Sequence, residues 1–171
     1  MALALYDKLA AQDGAEDVEI LLLLDNKQRS IGAKREMLVQ LSQGKYVVFV
    51  DDDDEVAHDY IPQILAVADE GAHVIVFDTI CSVNADPPVT VRHSLEFENE
   101  QYNPSGFRRK PWHVHPWRSE LAKAAHFPDR SYGEDWGWVE QMIAHAKTEA
   151  SAGGGALFHY RYRSNVTEAV A

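Results

Sequence analysis

The sequence has one cysteine, Cys81, among its 171 residues, so no disulfide can form within the chain. A lone thiol fits a reducing compartment best. No apolar run approaches the ~18 residues that span a bilayer, and the longest, residues 20–24, is only as long as a strand. The first residues include Asp7 and Lys8 and lack the basic start and apolar block of a secretory signal. We therefore expect a soluble, cytoplasmic protein without a membrane partner.

Basic residues are also scarce. The chain has 16 Lys and Arg against 27 Asp and Glu, which gives a formal net charge of −11. This charge opposes non-specific binding to nucleic acids and anionic membranes, although it does not exclude a local basic patch. The length suffices for a sizeable core without disulfides, and we expect residues 1–171 to form a single domain.

The most informative stretch is residues 45–55, where an apolar, β-branched run ends in four aspartates and Glu55. The run predicts a strand buried on both faces, with the acids at its C-terminal end. Ligands bind at that edge of open α/β sheets. Clustered carboxylates repel one another unless a cation shares the site, and oxygen ligands suit Mg²⁺, Mn²⁺ or Ca²⁺. A solvated acidic surface or a helix N-terminus is the alternative interpretation.

Hydrophobic periodicity and turn signals give the order of elements. We predict helices over residues 2–12, 31–43, 58–70, 118–125 and 134–147, and strands over 18–24, 45–50, 73–80 and 156–163. Residues 81–111 suggest a hairpin and long loops, and residues 151–155 a flexible glycine-rich break. Alternating strands and helices imply right-handed crossovers, so the expected fold is α/β, with a mostly parallel, Rossmann-like sheet flanked by helices.

Three motifs occur in order along the chain: residues 31–35 (Ile-Gly-Ala-Lys-Arg) leading a helix, the acidic strand end at 44–54, and residues 133–138 (Gly-Glu-Asp-Trp-Gly-Trp). Together they resemble family 2 glycosyltransferases of the GT-A fold, over roughly residues 15–165. Short soluble members, including phage-encoded ones, look most similar. The resemblance implies an inverting transferase that takes a sugar from a nucleoside-diphosphate sugar, with a UDP-sugar expected, and that works in the cytoplasm of a host cell if phage-encoded.

The resemblance also implies the roles of the donor-side residues. Asp51 and Asp53 match the Asp-x-Asp pair that holds Mn²⁺ or Mg²⁺ on the donor diphosphate, with Asp53 the first choice as direct metal ligand and Asp52 a neighbour in the cofactor site. Asp25 matches a contact to the nucleotide base. Lys34 and Arg35 match a basic pair near the nucleotide, and surface helix charge is their alternative role.

Glu134 and Asp135 match the family's Glu-Asp motif, in which the aspartate is the general base that deprotonates the acceptor hydroxyl. The same residues could simply cap the following helix. Trp136 next to them could stack against an acceptor ring or belong to the core.

Further candidates come from the same resemblance. His159, in the last predicted strand with Arg161 and Arg163 on its face, could complete the metal site, although a lone histidine is more often structural. The segment 113–120 matches a region beside the acceptor cleft, where His115 and Trp117 could touch substrate.

One feature departs from the family. Its members begin with a strand in the middle of the sheet, whereas this chain begins with a helix. We expect either that the strand is missing or that another segment fills its place, for example from a second copy of the chain in a homodimer.

A patch of basic and aromatic residues suggests more than one kind of acceptor. Residues 107–112 (Phe-Arg-Arg-Lys-Pro-Trp) together with Trp117 and Arg118 interleave cations and aromatics, as an acceptor site for hydroxymethylated bases in DNA would require. The same residues could bind a glycan or small molecule, or pair with the protein's own acids. A non-catalytic sugar-nucleotide or calcium-binding module of the same fold is the rival to an enzyme.

Overall fold

The computed structural model describes residues 2–84 and 86–162, which form five α-helices and seven strands. The helices are α1 (Ala2–Ala10), α2 (Ile31–Leu41), α3 (Tyr60–Ala68), α4 (Ser119–Ala124) and α5 (Glu134–Ile143). The strands are β1 (Tyr46–Val47), β2 (Glu55–Val56), β3 (Val74–Val83), β4 (Val89–His93), β5 (Phe107–Arg109), β6 (Trp117–Arg118) and β7 (Glu149–Tyr162). None of the helices in the described residues is long and apolar enough to cross a membrane.

The sheet is built around β3. One edge of β3 pairs antiparallel with β6 at Val74 and with β4 at residues 79–81, and its other edge runs parallel to β7. Strand β1 extends the sheet beyond β6, β5 lies parallel to β4, and β2 pairs with β7. The predicted α/β class is confirmed, and the sheet is mixed in direction because the hairpin of β3 and β4 and the short strands β1, β2 and β6 add antiparallel pairs.

Helices cover both faces of this sheet. Successive side chains of a strand point to opposite faces, and in β3 this sends Val74 and Val76 towards a cluster with α2, α4 and α5, and Ile75 and Phe77 towards one with α1 and α3. Trp138 of α5 is wholly buried in the first cluster. The continuous apolar run of β3 is therefore explained by burial on both sides.

The prediction of a strand over residues 18–24 is wrong. These residues follow a 3-10 turn (Ala15–Asp17) as extended chain without strand pairing, and Leu22 and Leu24 are 47% and 75% exposed. The predicted strand 45–50 is likewise paired only at Tyr46–Val47. A strand requires a neighbouring backbone to form its ladder, and in the described part of the chain no segment lies between these two runs. They instead flank an apolar groove of about 200 Å³.

The predicted glycine-rich break at residues 151–155 is also wrong. The glycines lie inside β7, which begins at Glu149, and the pairing with β3 shifts register between Val76 and Asp78. Gly154 and Gly155 have φ of 108° and 124°, which side-chain-bearing residues rarely adopt. The glycines thus permit a bulge within one long strand. Arg163 of the predicted last strand lies outside the described residues.

Candidate active site

Asp51 lies at the start of a turn that follows the β1 segment, where the N–H of Asp54 donates to its carbonyl at 3.1 Å. One carboxylate oxygen accepts a hydrogen bond from Arg35 Nη2 at 2.5 Å, and the other lies 3.3 Å from His113 Nε2. Burial alone would raise the pKa of Asp51, but the charge of Arg35, followed by the hydrogen bond and charge of His113, holds it well below its usual value. Asp51 is therefore ionised, and its two oxygens contact Arg35 and His113.

Arg35 connects this acid to a second one. It lies on α2 with only 8% of its surface exposed, and its Nη1 is 3.1 Å from Oε1 of the buried Glu134. That contact is an ion pair by distance, because Nη1 does not meet hydrogen-bond geometry. Burial lowers the pKa of Arg35, but Asp51 and Glu134 outweigh this effect and raise it. Arg35 is thus neither a surface charge nor open to solvent, but the centre of a buried ionic contact.

His113 links Asp51 to Asp135. Its Nδ1 is 3.1 Å from Asp135 Oδ2, an ion-pair distance without good hydrogen-bond angles. Burial and Arg35 lower the pKa of His113, whereas Asp135 and Asp51 raise it, and the net direction is upwards. Burial raises the pKa of Asp135, but His113 and the N–H of Trp136 lower it further than burial raises it. Asp135 is therefore ionised at neutral pH, as a general base must be.

These contacts place four of the predicted site residues together. Asp51 and Arg35 are far in sequence from the neighbours Glu134 and Asp135, yet all three acids contact Arg35 or His113. Asp135 also lies in the first turn of α5, two residues after Gly133, whose φ of 68° is left-handed. The alternative that this pair caps the helix is not observed, because the N-cap position of α5 is Gly133 and no side chain of the described residues caps the helix. The Asp135 carboxylate instead accepts the N–H of the adjacent Trp136.

Asp54 is a buried acid with an incomplete set of partners. Its Oδ1 accepts the N–H of Arg161 at 2.8 Å, while its Oδ2 has no hydrogen-bond partner among the described residues. Burial raises the pKa of Asp54 to about 7, the hydrogen bond from Arg161 opposes this, and the charges of Asp51 and Asp53 add to it. A cation near this cluster would relieve the repulsion.

The acids fit a metal that arrives with its substrate better than a preformed metal cage. Within residues 2–84 and 86–162, no three His, Cys, Asp or Glu side chains are gathered as a metal site. Mg²⁺ is usually held by one or two carboxylates together with substrate phosphates, so such a cage is not required. Asp52 and Asp53 are exposed next to the orphaned oxygen of Asp54, and these residues are compatible with that mode of binding.

His159 and Asp25 have defined partners of their own. His159 is half-buried, lies 2.7 Å from Ser82 Oγ through its Nε2, and faces Glu55 across the strand pair. Burial and then Arg161 lower its pKa. Asp25 accepts the N–H groups of Lys27 and Arg29 at 3.1 and 3.0 Å and lies 3.7 Å from Lys34 Nζ. Asp25 therefore shapes a basic loop beside α2.

The predicted acceptor residues lie in different environments. His115 and Trp117 are wholly buried: the ring of His115 bonds to Trp112 N–H and Phe77 O, and Trp117 Nε1 donates to Trp112 O. Their described contacts are therefore with the core, and no substrate can reach them in this structure. Trp136 is half-buried beside Asp135.

The basic patch is largely paired internally. Arg108 forms a 2.7 Å ion pair with Glu100, and Lys110 Nζ donates to the carbonyl of Leu95. Arg118 donates to Gly71 O through Nη1 and pairs with Glu120 through Nε. The sequence-based alternative that these cations pair with the protein's own acids is thus confirmed for Arg108 and Arg118.

Sequence reasoning did not select His113. It named the segment 113–120 but chose His115, and two histidines separated by one residue in an irregular turn carry no signal to distinguish them. The structure distinguishes them by pairing: the Phe49 N–H donates to the His113 carbonyl at 3.1 Å, which places this histidine beside the acidic strand end.

The fold is that of a GT-A glycosyltransferase. Residues 3–116 match the sequence model described as Glycosyl transferase family 2, and the chain belongs to this family, whose enzyme class is glycosyltransferase. No curated protein matches the sequence.

Solved structures show the same fold. S. aureus TarS 1-349 has a TM-score of 0.58 and 17% identity over 81% of this chain and 42% of TarS 1-349. Its complex with UDP-GlcNAc has a TM-score of 0.60 and 16% identity over 97% of this chain and 47% of the other. The chain thus spans less than half the length of these TarS structures.

Proposed function

We propose that the protein transfers a sugar from a nucleoside-diphosphate sugar, most simply a UDP-sugar, to an acceptor hydroxyl with inversion. The observation that carries this proposal is the pair of contacts that link Asp51 to Asp135 through His113. Only this side chain separates the acidic strand end from a carboxylate suited to proton abstraction. Family membership supports it, as does the existence of a TarS complex with UDP-GlcNAc.

On the donor side, we assign the nucleotide to the edge formed by Asp25, Lys34 and Asp52. Arg35 and Asp51 support this edge structurally and do not bind the nucleotide themselves, because their charged groups are already paired with each other. Asp53 is the proposed ligand of Mn²⁺ or Mg²⁺, with His159 as a further candidate. When bound, the metal would neutralise the charge that develops on the departing diphosphate.

On the acceptor side, Asp135 takes the proton of the acceptor hydroxyl. The oxygen of that hydroxyl forms a bond to the anomeric carbon from the face opposite the leaving group, and the nucleoside diphosphate departs with the electron pair of the broken bond. Glu134 does not need to touch substrate, since its buried carboxylate is paired with Arg35. Its role is to hold the start of α5 against α2.

We propose a sugar or glycan hydroxyl as the acceptor, with Trp136 as a stacking surface. Trp136 adjoins Asp135 and is partly accessible, and aromatic rings provide a large apolar face for stacking. DNA is the second candidate. The internal pairing of Arg108, Lys110 and Arg118 leaves the basic patch less charge for phosphates than the sequence suggested.

The test separates an enzyme from a binding module. The wild type is incubated with Mn²⁺ and UDP-, GDP- or dTDP-sugars, and release of nucleoside diphosphate is followed with and without simple sugar acceptors. Asp135→Asn should lose turnover by about 100-fold or more while keeping metal-dependent nucleotide binding. Asp13→Asn, an exposed carboxylate after α1, is the control. Nucleotide binding without any turnover in the wild type would favour the non-catalytic module. Equal turnover in wild type and Asp135→Asn would instead rule out Asp135 as the general base.

A further inference from the structure

We infer that His113 is a positioning residue, which fixes the carboxylate of Asp135 relative to that of Asp51 and so couples the donor edge to the general base. The inference rests on the proposed function and adds a residue to which the family motifs quoted above assign no role.

The His113 ring is buried between two carboxylates. His113 is only 3% exposed, and its two ring nitrogens face two different carboxylates, Asp51 Oδ2 at 3.3 Å and Asp135 Oδ2 at 3.1 Å. The Trp112 ring packs edge-on at 4.9 Å, and the His113 carbonyl accepts the N–H of Phe49. Backbone and side-chain contacts therefore hold the ring between two elements that are distant in sequence.

The two contacts of the ring differ in kind. Nε2 meets Asp51 Oδ2 in hydrogen-bond geometry, whereas Nδ1 approaches Asp135 Oδ2 at an ion-pair distance. Arg35 contacts Asp51 and Glu134. Removing the ring would therefore leave Oδ2 of Asp135 without this contact.

The position of the Asp135 carboxylate depends on few contacts. Asp135 lies at the first turn of α5 after a left-handed glycine, so few backbone contacts fix its side chain, and the N–H of Trp136 engages only Oδ1. His113 contacts the other oxygen, Oδ2. A displacement of about 1 Å at a reacting group costs about 100-fold in rate.

Two substitutions separate the two contacts of the ring. In His113→Asn the amide nitrogen occupies the place of Nδ1 and can still donate to Asp135, and in His113→Gln it occupies the place of Nε2 and can still donate to Asp51. We expect His113→Gln to lower kcat about 100-fold with KM for the donor changed less than about threefold, and His113→Asn to keep kcat within about tenfold of the wild type. This difference between two similar amides is not expected of a purely structural role.

His93→Gln is the matched control, since His93 is a buried histidine bonded to Thr79 and to the Lys110 carbonyl. It should leave kcat and KM unchanged at neutral pH. If His113→Asn and His113→Gln have the same kcat as each other, or if both match the wild type, the positioning role is overturned. If the wild type turns over no donor, the proposed function itself fails and this inference falls with it; a dead Asp135→Asn next to a fully active His113→Gln defeats the positioning role alone.

A second measurement covers the case in which the His113 variants do not fold. Nitrogen NMR of protein with ¹⁵N-labelled histidine should show that the ring signals of His113 shift in Asp135→Asn, because Nδ1 lies 3.1 Å from this carboxylate. Ring signals of His113 that are unchanged in Asp135→Asn would overturn the inference.

Discussion

Gly32 of α2 lies directly against the backbone of Pro128: a Cβ added to Gly32 would lie 1.9 Å from the Pro128 carbonyl oxygen and 3.0 Å from that of Arg130. The Gly32 N–H also donates to the Arg130 carbonyl at 3.0 Å. This close approach joins the helix that carries Arg35 to the loop that precedes Glu134. The Ile-Gly-Ala-Lys-Arg motif thus has glycine at its second position because a side chain there would clash with this backbone.

Gly32→Ala is therefore expected to destabilise the protein, because backbone atoms cannot move aside as a flexible side chain can. Overpacking of this kind costs about 1–3 kcal/mol, and turnover should fall with it because the loop that leads into Asp135 is displaced. Urea unfolding gives the free energy. Gly153→Ala is the control, since a Cβ there meets nothing within 4 Å. Equal stabilities of the two variants would contradict the prediction.

Arg35→Met should be more damaging. The substitution keeps an unbranched side chain but leaves Asp51 and Glu134 without their shared cation. Breaking a buried ion pair from one side costs about 3–5 kcal/mol, measured by urea unfolding at pH 7. Lys45→Met, which removes an exposed pair with Asp69, should cost less than about 1 kcal/mol. A loss below 1 kcal/mol for Arg35→Met would show that the buried network is not structurally important.

The buried His93 should make the folded protein less stable in acid. Burial lowers the pKa of His93 to about 4, against about 6.5 in the unfolded chain. Because the folded pKa is depressed, the stabilising contribution of neutral His93 is complete above about pH 6.5 and is lost as the pH falls to about 4. Between pH 7 and pH 4 the wild type should lose up to about 3 kcal/mol more than His93→Gln does. Parallel pH profiles of the two proteins would contradict this.

Metal and nucleotide should stabilise the protein together. If the cation is shared between Asp53 and donor phosphates, UDP with Mn²⁺ should raise Tm clearly, by a free energy of about 2.7 kcal/mol at 100 times Kd. UDP with a chelator should have little effect. Asp53→Asn should lose the response, whereas Asp69→Asn, an exposed acid paired with Lys45, should keep it. The same shift with a chelator present would argue against the metal.

Much of the fold could be predicted from local sequence. Ser30 predicted the start of α2, and its Oγ accepts the Ala33 N–H at 3.0 Å as a cap does. The acids after the apolar run at residues 45–50, and the Glu-Asp pair opening α5, are also local signals. Each depends on residues close together in the chain, which is why periodicity and capping chemistry identified them.

The pairing of strands and the burial of side chains could not be predicted from local sequence. Residues 18–24 have the composition of a strand but lack a neighbour in the described chain, and the glycines at 153–155 continue a strand because β3 holds them in a ladder. Arg35 could have been a surface charge, and His113 and His115 looked alike.

The sequence by itself determined the fold class, the family and the identity of the acids at the proposed site, because these follow from patterns along the chain. Only the tertiary structure decided that Arg35 and His113 join Asp51, Glu134 and Asp135 into one partly buried network. The physical reason is that a charge becomes costly or useful only through the groups that folding brings within about 4 Å of it.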